Sequence, residues 1–303
     1  MSKLAKRIDF VSLISVENAN PNGDPLLQNT PRTDSDGYGE ISDVCIKRKI
    51  RNRMQDLGYQ IFIQSPERPG YDGEKSLDSR YKAAFKSAGK ADVEETKKAA
   101  CEKWLDVRSF GQVFAFDGQD DSGDKKSKGK GEGVSISVTG PVSIRIARSV
   151  SIPIITSMQI TKSVNGKISK NGGKSKDTMG MKNFIRFGLY RIEGSIGVQQ
   201  AERTGFSEED ADVIKECLKT LFENDATAAR PAGSMNVERL FWYENTCPLG
   251  DVPVRNVFRS IDVHLKDENN TDPHSVDDYD VTINEFPIAK DGKTGKMQDI
   301  PIL

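Results

Sequence analysis

A basic helix entered from a loop of Asn, Gly, Pro and Asp constrains this 303-residue chain more than any other stretch. The loop opens at Asn18 and reads NANPNGDPLLQNTPRTDSDGYGE before the helix ISDVCIKRKIRNRMQ. Lys47, Arg48, Lys49, Arg51 and Arg53 stand between Val44 and Gln55 with no acid among them. Ser42 is placed to cap the helix, Asp43 suits the positive end of its dipole, and Gly58 suits the left-handed position that ends it. At about 100° per residue, Ile46, Ile50, Met54 and Leu57 fall on one stripe, the expected buried face. Lys47, Arg51 and Arg48 form an arc beside that stripe, while Lys49 and Arg53 flank its other side. A charge run is ordinarily a solvated face. Here the acids are missing although the whole chain carries a net charge of only −1, which favours an anion-binding face. Amide side chains and exposed backbone N–H groups feeding a basic helix suit a phosphate backbone.

Strand patterns flank this unit. Arg7 to Val16 is an apolar, β-branched run, and Tyr59 to Ile63 (YQIFI) is read as the next strand, giving a β-loop-α-β opening. Ser65 to Gly73 breaks the pattern. From about Asp78 to Leu105 the chain reads as helical, with Asp92 and Glu95 as a capping box and Val93, Thr96, Ala100 and Trp104 on one face. This piece interrupts the strand series and is read as an insertion. Phe110 to Phe116 is strand-like, whereas residues 117–133 carry no apolar side chain and read as mobile. Val134 to Val138 and Val142 to Ala147 alternate as strands, the second turning Val142, Ile144 and Ile146 one way and Ser143 and Arg145 the other.

Asn165-Gly166 is a strong hairpin signal between polar, basic arms. From Lys162 to Arg186 the bases are Lys162, Lys167, Lys170, Lys174, Lys176, Lys182 and Arg186 against Asp177 alone. A projecting hairpin and a plain surface loop both fit that composition. Ser207 to Phe222 is the clearest helix, capped by Ser207, acidic in its first turn and apolar at Ile214, Cys217, Leu218 and Leu221. Strands are expected over Glu238 to Tyr243 and Val254 to Leu265. The region beyond Asp262 is acidic, which suits a solvated face or a contact with a basic neighbour.

Near-neutral charge confines any nucleic-acid contact to local patches. No apolar run reaches the length of a membrane span and MSKLAKRIDF lacks a signal-peptide core, so a cytoplasmic protein without membrane partners is expected. Cys45, Cys101, Cys217 and Cys247 are widely spaced, as reduced thiols are. Two histidines leave metal sites and imidazole catalysis poorly supplied, and no cofactor or metal is expected. Gly173-Lys174-Ser175 lacks the first glycine of a phosphate loop, since Ile168 stands there. Asp34 to Glu40 has Tyr38 at the fifth position of a would-be calcium loop and its glutamate too early. Asp24, Asp34 and Asp36 would supply a general base to a nuclease, but turn chemistry explains such residues in such a loop.

The segments NPNGDP, NTPRTD and G-x-x-SDVCIKRKIRN resemble the backbone subunit of type I CRISPR surveillance complexes (Cascade), most like subtype I-C, within the repeat-associated RNA-binding (RAMP) superfamily. DVRSFGQVFA from Asp106, TGPVSIRIARS from Thr139 and TMGMKNFIRFGLY from Thr178 extend the resemblance collinearly over most of the chain. The resemblance implies an α+β fold, a single ferredoxin-like (RRM-type) palm of the β-α-β-β-α-β kind across residues 1–303. It implies a helical and flexible finger insertion over residues 66–133 and a basic thumb hairpin over residues 157–181. It further implies a non-catalytic protein that binds guide RNA (crRNA), assembles head-to-tail with copies of itself and with other Cascade subunits, and presents the guide to a target DNA strand. An RNase of the same superfamily, cutting guide or target RNA, is the alternative. Phosphate contacts are then expected from Lys47, Arg48, Lys49 and Arg51, from groups around Asn18, Asn20 and Ser42, and from Arg32. At the thumb, Lys162, Met179, Gly180 and Lys182 are expected to meet the strand. Met181 stands where relatives commonly carry Arg, which shifts the phosphate contact to Lys182. Few aromatics lie in either basic stretch, so an RRM stacking platform is not expected.

Overall fold

The computed structural model describes residues 2–65, 67–68, 70, 72–85, 93–115, 135–161, 179–284 and 294–302. Strand β1 (Ile8–Ala19) leads into two short strands, β2 (Gly23–Asp24) and β3 (Thr30–Pro31), that pair to close the Asn-rich loop. A short β4 (Glu40–Ile41) precedes the basic helix α1 (Asp43–Asp56). Helices α2 (Leu77–Ala84), α3 (Val93–Lys103) and α4 (Leu105–Phe110) follow, then an antiparallel pair of β5 (Gly111–Ala115) and β6 (Ser135–Thr139). Next come β7 (Val142–Ile144), β8 (Ala147–Ser149), β9 (Ile155–Thr161) and the long β10 (Met179–Ile196). Helices α5 (Val198–Thr204) and α6 (Glu208–Lys219) lead to β11 (Met235–Glu244). The described chain closes with α7 (Val254–Ser260), β12 (Ile261–Leu265), β13 (Tyr279–Ile283) and β14 (Lys296–Pro301).

The architecture is mixed α/β around one large antiparallel sheet in the order β14-β11-β1-β10-β8-β4, with β7 and β9 also paired to β10. Period-two alternation in β1 sends Phe10, Ile14 and Val16 to one face and Val11 and Leu13 to the other. The first face packs on Ile46, Ile50 and Met54 of α1 and on Ile214, Cys217 and Leu218 of α6. The second packs beneath Phe258, Ile261 and Tyr279 of the α7-β12-β13 unit. Both faces are therefore covered, and β1 is buried throughout Ile8–Val16, apolar there except at Asp9, Ser12 and Ser15. A separate small core of Phe62, Ala100, Trp104, Phe114 and Ile136 holds the insertion, with the Phe62 and Trp104 rings 4.7 Å apart.

Five local expectations change. Tyr59 to Ile63 forms no strand: the Phe62 and Ile63 N–H groups donate to the Asp106 carboxylate at 2.7 and 3.0 Å instead of to a neighbouring strand. Val254 to Ser260 is helical, because Val254, Val257 and Phe258 recur at the helical spacing and pack inward. The strand from Val142 breaks at Arg145 and Ile146. Arg145 N–H bonds Glu193 O at 2.9 Å, and Ile146 faces solvent while Ala147 turns in. In α1 the buried face is Ile46, Lys49, Ile50, Arg53 and Met54, and Leu57 is exposed. The single helix read from Asp78 to Leu105 is α2 and α3, with residues 86–92 outside the described set.

Candidate nucleic-acid interface

The margin begins where β1 ends. Asn18 adopts φ 49°, a left-handed conformation that Asn tolerates. It reverses the alternation of the strand, so Ala19 joins the same core as Val16. Asn20 is then buried, its Nδ2 donating to Asn29 O at 2.6 Å and its backbone N–H to Ala229 O at 2.9 Å. Asn22 Oδ1 accepts from Ser42 N–H at 2.9 Å, and Ser42 Oγ accepts from Cys45 N–H at 3.3 Å. The loop thus fixes the first turn of α1. On its other side Asn183 of β10 donates to Gln28 O and Thr30 Oγ1, each at 3.2 Å, and accepts from Ser157 Oγ at 2.7 Å. Helix start, loop and the root of the β9-β10 pair are joined along one margin. Gln28, Gln159, Gly180 and Met181 line an open pocket there.

The five cations of α1 are unequal. Lys47 is half-buried and 3.0 Å from Asp43, one helical turn earlier. Arg48 donates to Ile63 O at 3.0 Å and has no carboxylate within ion-pairing distance among the described residues. Burial, followed by the nearby Arg51, lowers the Arg48 pKa. Arg51 Nε lies 3.0 Å from Asp106 Oδ2 and its guanidinium sits over the Phe110 ring. Arg53 bonds Thr220 Oγ1 and pairs with Asp56 and Glu223. Lys49 is only 4% exposed and pairs with Asp225. Burial lowers its pKa, and Asp225 opposes that shift. The helix run lacks acids because much of its counter-charge comes from Asp106, Glu223 and Asp225, all distant in sequence. Lys49 is thus an internal ion pair and not an open phosphate contact, and Asn20 is a loop staple.

Arg32 is partly exposed, 3.5 Å from Asp24. Lys182 stands half-buried on β10 opposite Met158, beside exposed Gly180 and Met181. Met179 belongs to β10 by its backbone. Lys162 and the Asn165-Gly166 hairpin lie outside the described residues. The carboxylates of the loop are engaged locally. Asp24 caps Leu26 N–H at 3.0 Å. Asp34 accepts from Asp36 and Tyr38 N–H groups, both at 2.9 Å, and from Arg148 Nε at 2.7 Å. The Arg148 bond holds the Asp34 carboxyl below the usual range, and the Arg148 guanidinium stacks on Tyr38 at 3.7 Å. Asn183, Asp106, Arg148 and Asp225 organise the margin, yet their bonding partners lie far away in sequence. Only the fold reveals them.

Cations and amide side chains of the Asn-rich loop, the start of α1 and β10 lie along one margin of the doubly covered sheet. The family described as CRISPR-associated protein Cas7 matches residues 6–284, and the chain belongs to it. A CRISPR-associated protein Cas7 of Haloferax volcanii is 24% identical over 230 residues, covering 75% of this chain and 67% of that protein. Two solved structures are each 14% identical over 78% of this chain. One is described as a CRISPR RNA-guided surveillance complex, pre-nicking, with 78% of its chain covered and a TM-score of 0.43. The other, described as a CRISPR RNA-guided surveillance complex, has 68% covered and a TM-score of 0.38. No helix among the described residues is long and apolar enough to cross a membrane.

Proposed function

We propose that this chain is a non-catalytic backbone subunit of a type I surveillance complex, nearest subtype I-C. It grips guide RNA by its phosphates, polymerises head-to-tail with its own copies beside other Cascade subunits, and leaves bases free to pair with target DNA. In a chain of the Cas7 family, the observation that carries this reading is the Asn183 clamp. It ties the Asn-rich loop to the β9-β10 root, and the Asn22–Ser42 bond ties the same loop to the start of α1. Ser42, Lys47, Arg48, Asn18, Arg32 and Lys182 are the groups on that margin for phosphates. Arg51, Lys49 and Asn20 hold it in shape, and Met179, Gly180 and Lys162 belong to the thumb that separates bases.

The strand order β11-β1-β10-β8, with α1 and α6 on one face, supports a ferredoxin-like palm whose second strand is supplied by β7 and β8. Residues 66–133 then serve as fingers and 157–181 as the thumb. The α7-β12-β13 unit covers the face on which an RRM would stack bases, in keeping with phosphate grip. The engagement of Asp24 and Asp34 in turn and ion-pair bonds supports a holding role over a cutting one. The test is binding of two guide RNAs with unrelated spacers of equal length, followed by a denaturing gel. Equal affinity with intact RNA is expected. Shortened RNA would overturn the reading in favour of the RNase, and strong discrimination between spacers would refute a sequence-blind grip.

A further inference from the structure

Asp225 faces more positive charge than it can neutralise. It stands beyond α6, and its Oδ2 pairs with Lys49 while lying 3.4 Å from Arg230 Nε. Arg230 Nε is enclosed but has no hydrogen-bond partner, whereas the side chain as a whole keeps 25% of its exposure. Local structure aims it there. Thr227 and Arg230 exchange both backbone hydrogen bonds, at 2.8 and 3.1 Å, and Thr227 Oγ1 accepts a further one from Arg230 N–H at 3.2 Å. The next bond stitches this closed turn to the margin, because Ala229 O accepts the Asn20 N–H. Cys45, in the first turn of α1, lies in the field of Lys49, Arg230 and Arg32 together, with Asp225 the anion among them.

One carboxylate therefore serves an enclosed lysine and a partly open arginine beside the loop and helix start. If the arginine turns outward, the Lys49–Asp225 pair remains intact and neither buried charge is stranded. We propose that Arg230 is a further phosphate contact for the single-stranded RNA, presenting from the post-α6 turn the charge that the sequence assigns to Lys49. A guanidinium fork suits a phosphodiester, to which it can donate two bonds at once. The proposal rests on the strand-holding reading above, and its test separates the two.

The full chain is titrated with a short single-stranded RNA over a series of salt concentrations, as wild type, Arg230→Gln, Arg230→Lys and Lys47→Ala. Glutamine can still donate to Asp225 but carries no charge. Arg230→Gln is expected to weaken binding about tenfold at moderate salt. It should also lower the slope of log K against log salt by about 0.7, the value for one lost phosphate contact on a single strand. Arg230→Lys should keep most of the slope. If Arg230→Gln leaves slope and affinity at the wild-type values while Lys47→Ala lowers both, the proposal is overturned and the strand-holding margin stands. If neither moves them, the margin itself is refuted. Should Arg230→Gln fold poorly, the wild-type chain is treated with phenylglyoxal and mapped by mass spectrometry. RNA should protect Arg230 and leave Arg203 on α5 reactive, and equal modification of Arg230 with and without RNA overturns the proposal.

Discussion

Asp106 serves three donors from a position that is 1% exposed: the N–H groups of Phe62 and Ile63 and the guanidinium of Arg51. Removing one partner of a buried pair strands the other, so Asp106→Ala should destabilise the chain by about 3–5 kcal/mol in denaturant unfolding. A loss below about 1 kcal/mol would mean that Arg51 finds water at little cost. The same residue explains why YQIFI reads as a strand and is none. Its pattern is genuine, but a side chain more than forty positions away takes its amides. Glu209 differs in being an exposed carboxylate, although its leading donor, the Ser2 N–H, also comes from far away in sequence. The Ser2 N–H and its own helix-terminal N–H hold its pKa down to about 2, from an ordinary 4.5. A depressed carboxylate adds stability that is fully present above 4.5 and is lost as pH falls through 2. Glu209→Gln should flatten the pH dependence of unfolding over that interval, and an unchanged profile would refute the assignment.

At the scale of elements, β10 is the member on which the sheet depends, since it pairs with β1, β7, β8 and β9 along its length. Gly194 lies where β1 and β7 approach β10 together, and a Cβ there would run into the Phe10 ring and the Ser143 backbone. Gly194→Ala should cost about 1–3 kcal/mol by overpacking and loosen the β1-β10 pairing, seen as faster amide exchange at Val11 and Ile192. Wild-type exchange would mean that the strands part without strain. Elements with both a period and a cap were legible in advance: α1 with Ser42 and Gly58, and α6 with its Ser207 cap and acidic first turn. Short apolar runs were not, because seven residues such as Val254 to Ser260 fit a buried strand and a helix alike. The basic face of α1 was legible as charge but not as accessibility. Helical spacing locates Lys49 beside the buried stripe, while only tertiary packing brings Asp225 to it.

On the scale of the whole molecule, the surfaces around the doubly covered sheet differ in charge. Cations collect near the start of α1, whereas β12, β13 and the loop between them carry Asp262, Asp267, Glu268, Asp272, Asp277, Asp278 and Asp280. Opposite charges on different surfaces of one body suit a head-to-tail contact, and one whose rotation does not close would build a filament. Family membership and the basic margin were both readable from the motifs after Asn18. The covering of the second sheet face was not, since it depends on a helix read as a strand. The account is tested most directly by native mass spectrometry on guide RNAs of increasing spacer length, with the RNA recovered afterwards. It predicts bound mass rising in whole protomers with spacer length, RNA of unchanged size, and loss of the series in Lys47→Glu combined with Lys182→Glu. One protomer per RNA at every length, or RNA recovered in pieces, would contradict it.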